Sequence, residues 1–172
     1  MEKGYIHIYT GNGKGKTTAA FGLAIRASGQ GYKSYIGQFM KGQAYGEIIE
    51  LDNHPKIIIE QYGDQVCIRR EDVTQKHIDL ARKGLATAKE AMLSGQYDII
   101  VLDEINVSIW FGLISISDVL DFLDNKPEHV EIVLTGRKAP EVLIKRADLV
   151  TEMLEVKHYY NRGVSARNGI ER

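Results

Sequence analysis

Residues 10–18 have the types and spacing of a loop that binds phosphate. They read T-G-N-G-K-G-K-T-T, close to the pattern G-x-x-x-x-G-K-[S/T], with Thr10 where the pattern has its first glycine. Glycines let backbone N–H groups curl around an anion, and the following helix turns its positive end toward the same point. Lys16 would add a point charge, and the Thr17 hydroxyl could ligate Mg²⁺. We therefore predict a nucleotide-phosphate site; the alternative is a glycine-rich turn without a ligand.

Two adjacent carboxylates, Asp103 and Glu104, form a second candidate element. They follow the apolar run 98–102, and open α/β sheets bind their ligands at the carboxyl ends of the strands. In a nucleotide site such carboxylates hold Mg²⁺ directly or through water, and a Glu here often orients a water for hydrolysis. The alternative is a pair of acids that cap the next segment. Kinases, ATPases and recombinase-like motors share both elements, so the two elements do not identify the reaction.

Short β-branched runs alternate with helical patterns along the chain, which indicates how these residues are positioned. We predict strands at residues 5–9, 34–40, 56–60, 98–102, 130–134 and 149–154. We predict helices at 16–28, 74–93, 117–123 and 139–146, the last with Pro140 in its first turn, and a polar loop at 42–55. Strand alternating with helix indicates a mainly parallel central sheet flanked by helices, a three-layer α/β fold.

The composition is that of an ordinary globular chain. It has 172 residues and a formal net charge of −1, with 22 Lys and Arg against 23 Asp and Glu. This balance argues against nucleic-acid or membrane-surface partners, and no apolar run reaches the ~20 residues of a membrane span. The first residues lack a secretory signal and Cys67 is the single cysteine, so we expect a cytoplasmic protein without internal disulfides. We predict one nucleotide-binding domain over 1–172, with a mobile tail at 161–172.

Longer strings in the chain resemble one known family. They are TGNGKGKTTAAFGLAIRASGQG from residue 10, QFMKG at 38–42, VLDE at 101–104, LTGR at 134–137 and VKHYYNRGVSARNGIER at the end. Together, and in this order, they resemble the ATP:corrinoid adenosyltransferases, which also have threonine at the first loop position. The resemblance implies a P-loop, RecA-like fold, usually as a homodimer. It also implies transfer of the 5′-deoxyadenosyl group of ATP to the Co(I) of a reduced corrinoid, with release of triphosphate; a flavodoxin-type or other reductase would supply Co(I).

The resemblance carries roles to particular residues. Lys16 and Glu104 would be catalytic, because together with Mg²⁺ they would offset the charge that develops on triphosphate. Thr17 and Glu104 would ligate the metal, and Asp103 would act behind them or through water. The residues expected to bind ATP are Gly11, Asn12, Gly13, Lys14, Gly15, Lys16, Thr17, Thr18 and Arg26.

The segment expected beneath the corrin departs from the family pattern. Family members carry bulky aromatics after a glycine there, whereas residues 61–70 read QYGDQVCIRR. Val66 or Ile68 could substitute sterically, and Cys67 is given no role. The predicted corrinoid contacts are Tyr62, Trp110 and Phe111, and packing in a core or interface is the alternative for each.

Four other polar residues are candidates for the site. Gln38 and Lys41 follow the second predicted strand, where the cleft of such a sheet lies. Arg137 follows the fifth strand and could meet phosphate. For these three, ordinary loop polarity is the alternative, and for His158 a local structural role is favoured.

Three functions remain open from the sequence. The first is the corrinoid adenosyltransferase. The second is a P-loop kinase or ATPase of other specificity, which would yield ADP. The third is a non-catalytic relative that binds ATP or corrinoid, to which the missing aromatics point.

Overall fold

The computed structural model describes residues 1–66 and 68–171 and is built on one sheet. The strands are β1 (Ile6–Thr10), β2 (Ser34–Phe39), β3 (Ile57–Tyr62), β4 (Ile99–Asp103), β5 (Glu131–Thr135) and β6 (Leu149–Glu152). They lie in the order β3-β2-β4-β5-β1-β6, and each pairing is parallel. All six predicted strands are therefore confirmed, within two residues at each end.

The helices are α1 (Lys16–Ser28), α2 (Gly46–Glu50), α3 (Gln75–Leu93), α4 (Ile105–Trp110), α5 (Ile116–Asp124) and α6 (Glu141–Arg146). The four predicted helices are confirmed as α1, α3, α5 and α6. The prediction of a loop throughout 42–55 is wrong, because α2 lies inside it, and α4 was not predicted. Pro140 is the N-cap of α6 and not part of its first turn, which leaves its fixed φ just ahead of the helix.

Two apolar layers cover the sheet, one on each face. On one face, Ile8, Ile100 and Leu134 pack in a cluster with residues of α3 and α5. On the other, Val101 and Val133 pack with residues of α1. Successive side chains of a strand point to opposite faces, so strands buried on both faces need consecutive apolar residues. The predicted three-layer α/β fold is confirmed.

The sheet order brings the two candidate elements together. The loop after β1 and the acid pair at the end of β4 are separated by one strand, β5. Because all three strands run in the same direction, their carboxyl ends share one edge, and Thr135 at the end of β5 lies between them. In the part of the chain that the structure describes, no helix is both long and apolar enough to cross a bilayer.

Candidate functional site

The loop after β1 has the backbone of an anion-binding loop. Gly15 caps the start of α1 with φ 114°, in the left-handed region that favours glycine. No side chain among the described residues caps this helix, so its first N–H groups are free to meet a ligand. Gly13 is needed for a different reason: a Cβ there would lie 2.7 Å from the carbonyl oxygen of Met153. The Gly13 N–H donates to that same oxygen at 2.7 Å.

Lys16 lies inside this loop. Its side chain is buried, and Nζ donates to the Gly13 carbonyl oxygen at 2.6 Å. Burial lowers its pKa, and the nearby Glu104 and Asp103 carboxylates oppose that shift. Thr10, at the position where the loop pattern has glycine, is buried at the end of β1, and its hydroxyl accepts a hydrogen bond from Ala139 N at 3.4 Å.

Asp103 is the hub of the polar site. It is fully buried, and each carboxylate oxygen accepts two hydrogen bonds. Oδ1 accepts from Thr17 Oγ1 at 2.9 Å and Thr135 Oγ1 at 2.7 Å. Oδ2 accepts from Lys41 Nζ at 2.8 Å and Gln38 Nε2 at 3.1 Å. The structure thus joins the phosphate loop, β2, β4 and β5 through one carboxylate.

Glu104 enters the site differently. Its backbone is left-handed, with φ 64°, and its N–H donates to Thr135 Oγ1 at 2.9 Å. Burial and the Asp103 charge raise the pKa of its carboxyl, while Lys41, Lys16 and Arg137 lower it. The described contacts place Asp103 against Thr17, although the sequence had favoured Glu104 as the direct metal ligand; that role of Glu104 stays a prediction.

Oxygen donors at this point fit a hard divalent cation. Thr17 Oγ1 and Asp103 Oδ1 lie 2.9 Å apart, and the ammonium of Lys41 contacts Asp103 Oδ2 at 2.8 Å and Thr17 Oγ1 at 3.2 Å. A cationic group thus already lies on these oxygens. Hydroxyl and carboxylate oxygens are the ligands that Mg²⁺ takes in nucleotide sites.

The C-terminal segment reaches the outer side of the phosphate loop. Lys14 Nζ donates to Ile170 O at 2.7 Å and Glu171 Oε1 at 2.9 Å, and it lies 3.4 Å from Tyr159 OH. Glu171 also accepts from Arg167, whose guanidinium lies 4.8 Å from the Tyr159 ring centre. These contacts tie residues 159–171 to the loop; the mobility of 161–172 stays a prediction.

The remaining predicted phosphate contacts lie at different distances from the loop. Asn12 and Thr18 are exposed at its rim, and Arg137 is close enough to lower the pKa of both Lys16 and Glu104. Arg26 is exposed in the last turn of α1, about 15 Å along the helix axis from Lys16. The structure therefore does not bring Arg26 to the loop.

One of the three predicted corrinoid contacts, Tyr62, lines a small cleft. Its lining residues are Met40, Tyr62, Gly63, Asp64, Val66, Ile68, His77 and Leu113. Tyr62 is largely buried, and its hydroxyl bonds Tyr35 OH at 2.8 Å and also Glu60. Its ring is thus mainly a packing element.

Trp110 and Phe111 stand at the end of α4, and neither is among the described residues that line this cleft. Their rings meet edge to face at 5.3 Å. Trp110 is 44% exposed, and the guanidinium of Arg70 lies 5.7 Å from its ring centre. Leu113, two residues beyond Phe111, lines the cleft. Cys67 lies outside the described residues.

His158 has the local structural role that the sequence favoured, whereas the place of Thr135 in the site was not predicted. His158 Nδ1 accepts from Tyr160 N at 3.1 Å and so caps the turn Tyr159–Arg162, as favoured above. No site role was predicted for Thr135, because that role depends on β5 lying between β1 and β4. The sequence signal for it was a polar residue, Thr135, directly after the apolar residues of β5.

Comparison with known proteins shows which family this chain belongs to. The family model described as "ATP:corrinoid adenosyltransferase BtuR/CobO/CobP" matches residues 2–172. A corrinoid adenosyltransferase of Sinorhizobium sp. is 37% identical over 174 residues, which cover 99% of this chain and 81% of the relative. Those of Pseudomonas aeruginosa and Escherichia coli K12 are 34% and 32% identical, over 99% of this chain and 84% and 86% of the relatives. The chain belongs to the ATP:corrinoid adenosyltransferase family.

Proposed function

We propose that this protein transfers the 5′-deoxyadenosyl group of ATP to the Co(I) centre of a reduced corrinoid and releases triphosphate. Membership of the family supports the reaction. The observation that carries it to this chain is the convergence of Lys16, Thr17 and Asp103 at the carboxyl edge of the sheet. That edge is where such sheets bind ligands.

The reaction requires a held leaving group and no nucleophile from the protein. Co(I) supplies the electron pair for the new cobalt–carbon bond, and the bond between C5′ and its phosphate oxygen breaks. Triphosphate departs with the electron pair of that broken carbon–oxygen bond. The first N–H groups of α1 and the Lys16 ammonium would stabilise the charge that grows on triphosphate. The loop would also hold the triphosphate so that C5′ is oriented toward the corrinoid, which contributes by orientation.

Mg²⁺ is part of the proposal. When bound, it would neutralise phosphate oxygens as a Lewis acid. Thr17 and Asp103 would hold it, and Glu104 would join them directly or through water. Thr135 and Gln38 would orient Asp103, since their hydrogen bonds leave the carboxylate little rotational freedom.

The cleft beside Met40 is the proposed corrinoid side. It opens next to Lys41 and has an apolar lining in Val66, Ile68 and Leu113. Trp110 and Phe111 would flank a flat ring at its margin. We further propose a cytoplasmic homodimer whose corrinoid substrate is reduced to Co(I) by electrons from a flavodoxin-type or other reductase.

The test is an anaerobic incubation of the protein with Mg·ATP and chemically reduced cob(I)alamin, followed by absorbance and phosphate analysis. We expect a light-sensitive adenosylcorrinoid and triphosphate in equal amounts. ADP formed without corrinoid would instead support a kinase or ATPase. Tight ATP binding without any product would support a binding protein.

A further inference from the structure

Lys41 is placed by an unusual turn of the chain. It follows β2 by two residues, and Met40 between them has a left-handed backbone with φ 59°. This turn points the lysine back over the end of the sheet. Its Nζ lies 2.8 Å from Asp103 Oδ2 and 3.2 Å from Thr17 Oγ1, and its side chain is 17% exposed. These are the two groups that fit a divalent cation.

The contact matters because Asp103 is fully buried. Apart from Lys41, its described donors are the neutral groups of Thr17, Thr135 and Gln38. A buried carboxylate without a counter-charge is strongly unfavourable. In the nucleotide-free protein, Lys41 therefore acts as the counter-ion of Asp103.

We propose that Lys41 is a resident cation that exchanges with Mg²⁺. Its ammonium leaves Asp103 and Thr17 when these oxygens take the metal, and it then binds triphosphate beside Lys16. Two cations on the same oxygens repel, while the flexible four-carbon stem lets the ammonium move without the backbone. Glu104 and Glu47 also face Lys41 and raise its pKa together with Asp103, against the effect of burial, so the released ammonium keeps negative neighbours.

The proposal rests on the proposed function only for the identity of the triphosphate. Competition for Asp103 is measurable without ATP or corrinoid. We would titrate the nucleotide-free chain and its Lys41→Met variant with Mn²⁺ and follow free Mn²⁺ by electron paramagnetic resonance. The variant is expected to bind Mn²⁺ at least about 10-fold more tightly, because the competing charge is gone. Its affinity for Mg·ATP is expected to fall about 10-fold, because a triphosphate contact is lost.

A matched control is Lys89→Met, which removes a lysine that bonds Asp121 at 2.6 Å elsewhere on the surface. It should leave both affinities unchanged.

If the folded Lys41→Met variant binds Mn²⁺ equally or less tightly, Lys41 is a fixed structural partner and the exchange is wrong. If Mn²⁺ binding tightens but Mg·ATP affinity stays the same, the movement to triphosphate is wrong. Should the variant not fold, Lys41→Gln gives the same two readings. Failure of adenosyl transfer in the unaltered chain would affect the proposed function alone.

Discussion

Lys16 is buried, and its ammonium donates a hydrogen bond to the backbone carbonyl of Gly13 in the loop just before it. Its charge is balanced from a distance by Glu104 and Asp103. Burying this charge costs free energy in the ligand-free protein. The negative charge of triphosphate offsets that cost when it binds. The residue is therefore placed for binding an anion and not for stability.

Replacing Lys16 by Ala tests this at a single position. We expect turnover to fall by roughly 10²–10³, as when a charge-stabilising donor is removed, and Mg·ATP binding to weaken markedly. Steady-state adenosylation and ATP titration by calorimetry would measure both. Full turnover in the variant would remove Lys16 from the site, and Lys89→Ala is the control for loss of any lysine.

Glu104 gives a pH-dependent prediction. Burial, followed by the Asp103 charge, raises the pKa of its carboxyl above its ordinary value of 4.5. The native protein therefore binds more protons than the unfolded chain above pH 4.5, so ionisation of this group lowers stability as the pH rises through that window. Glu104→Gln should resist urea better than the unaltered chain at pH 7 but not at pH 4. It should also lose about 10- to 100-fold in turnover. Equal urea midpoints at pH 7 would contradict the first part.

In helix α3, a neighbouring aromatic ring leaves no room for a side chain at Gly84. A Cβ on Gly84 would lie 2.6 Å from the ring of Tyr62, and that ring is held by hydroxyl bonds to Tyr35 and Glu60. Gly22 in α1 offers the matched case, since a Cβ there meets nothing within 4 Å. Both glycines lie inside helices, where glycine is otherwise unfavourable.

We predict opposite effects of alanine at these two positions. Gly84→Ala should lower the free energy of unfolding by about 1–3 kcal/mol, because the core is overpacked. Gly22→Ala should raise it by up to about 1 kcal/mol. Urea unfolding of both variants checks the pair, and a stable Gly84→Ala protein would mean that the Tyr62 ring moves easily.

The sequence predicted some secondary-structure elements and site residues but not others. The strands were predictable because burial on both faces demands consecutive β-branched residues. Helix α2 was missed because its five residues are half-buried or exposed and carry two acids, so no apolar periodicity marks it. In the site, Lys16, Thr17 and Asp103 followed from motifs. Lys41 was a candidate from its position after the second strand, but its contact with Asp103 depends on the left-handed turn at Met40. The contribution of Thr135 depends on strand order.

At the scale of the whole molecule, the C-terminal segment is joined to the phosphate loop through Lys14. Glu171 is the charged partner, and hydrogen bonds from Arg167, Tyr159 and Lys14 hold the pKa of its carboxyl well below the ordinary 4.5. A carboxyl with a depressed pKa keeps its stabilising charge above its ordinary pKa and loses it only as the pH falls toward the lower value. The contact should therefore persist unchanged between pH 7 and pH 5.

Glu171→Gln tests whether this contact competes with ATP. Removing the carboxylate frees Lys14 for phosphate, so we expect ATP to bind about 2- to 5-fold more tightly at low ionic strength, with a smaller difference in high salt. Glu155→Gln changes an acid that precedes this segment and accepts from Asn161 at 3.1 Å, and it should have no effect. Weaker ATP binding in Glu171→Gln would mean that the segment supports the site and does not compete for it.

Strand β1 owes its position to partners that come late in the chain. Tyr5 N bonds Glu131 across 126 residues, and Ile6 N bonds Asp148 across 142. Contacts of such sequence separation form slowly, and proteins begin to fold while they are still being made. On the ribosome, β1 has neither neighbour until residues 131–152 have emerged. The phosphate loop is thus synthesised before the strands that fix its position, so the nascent chain cannot hold ATP until residues 131–152 have emerged.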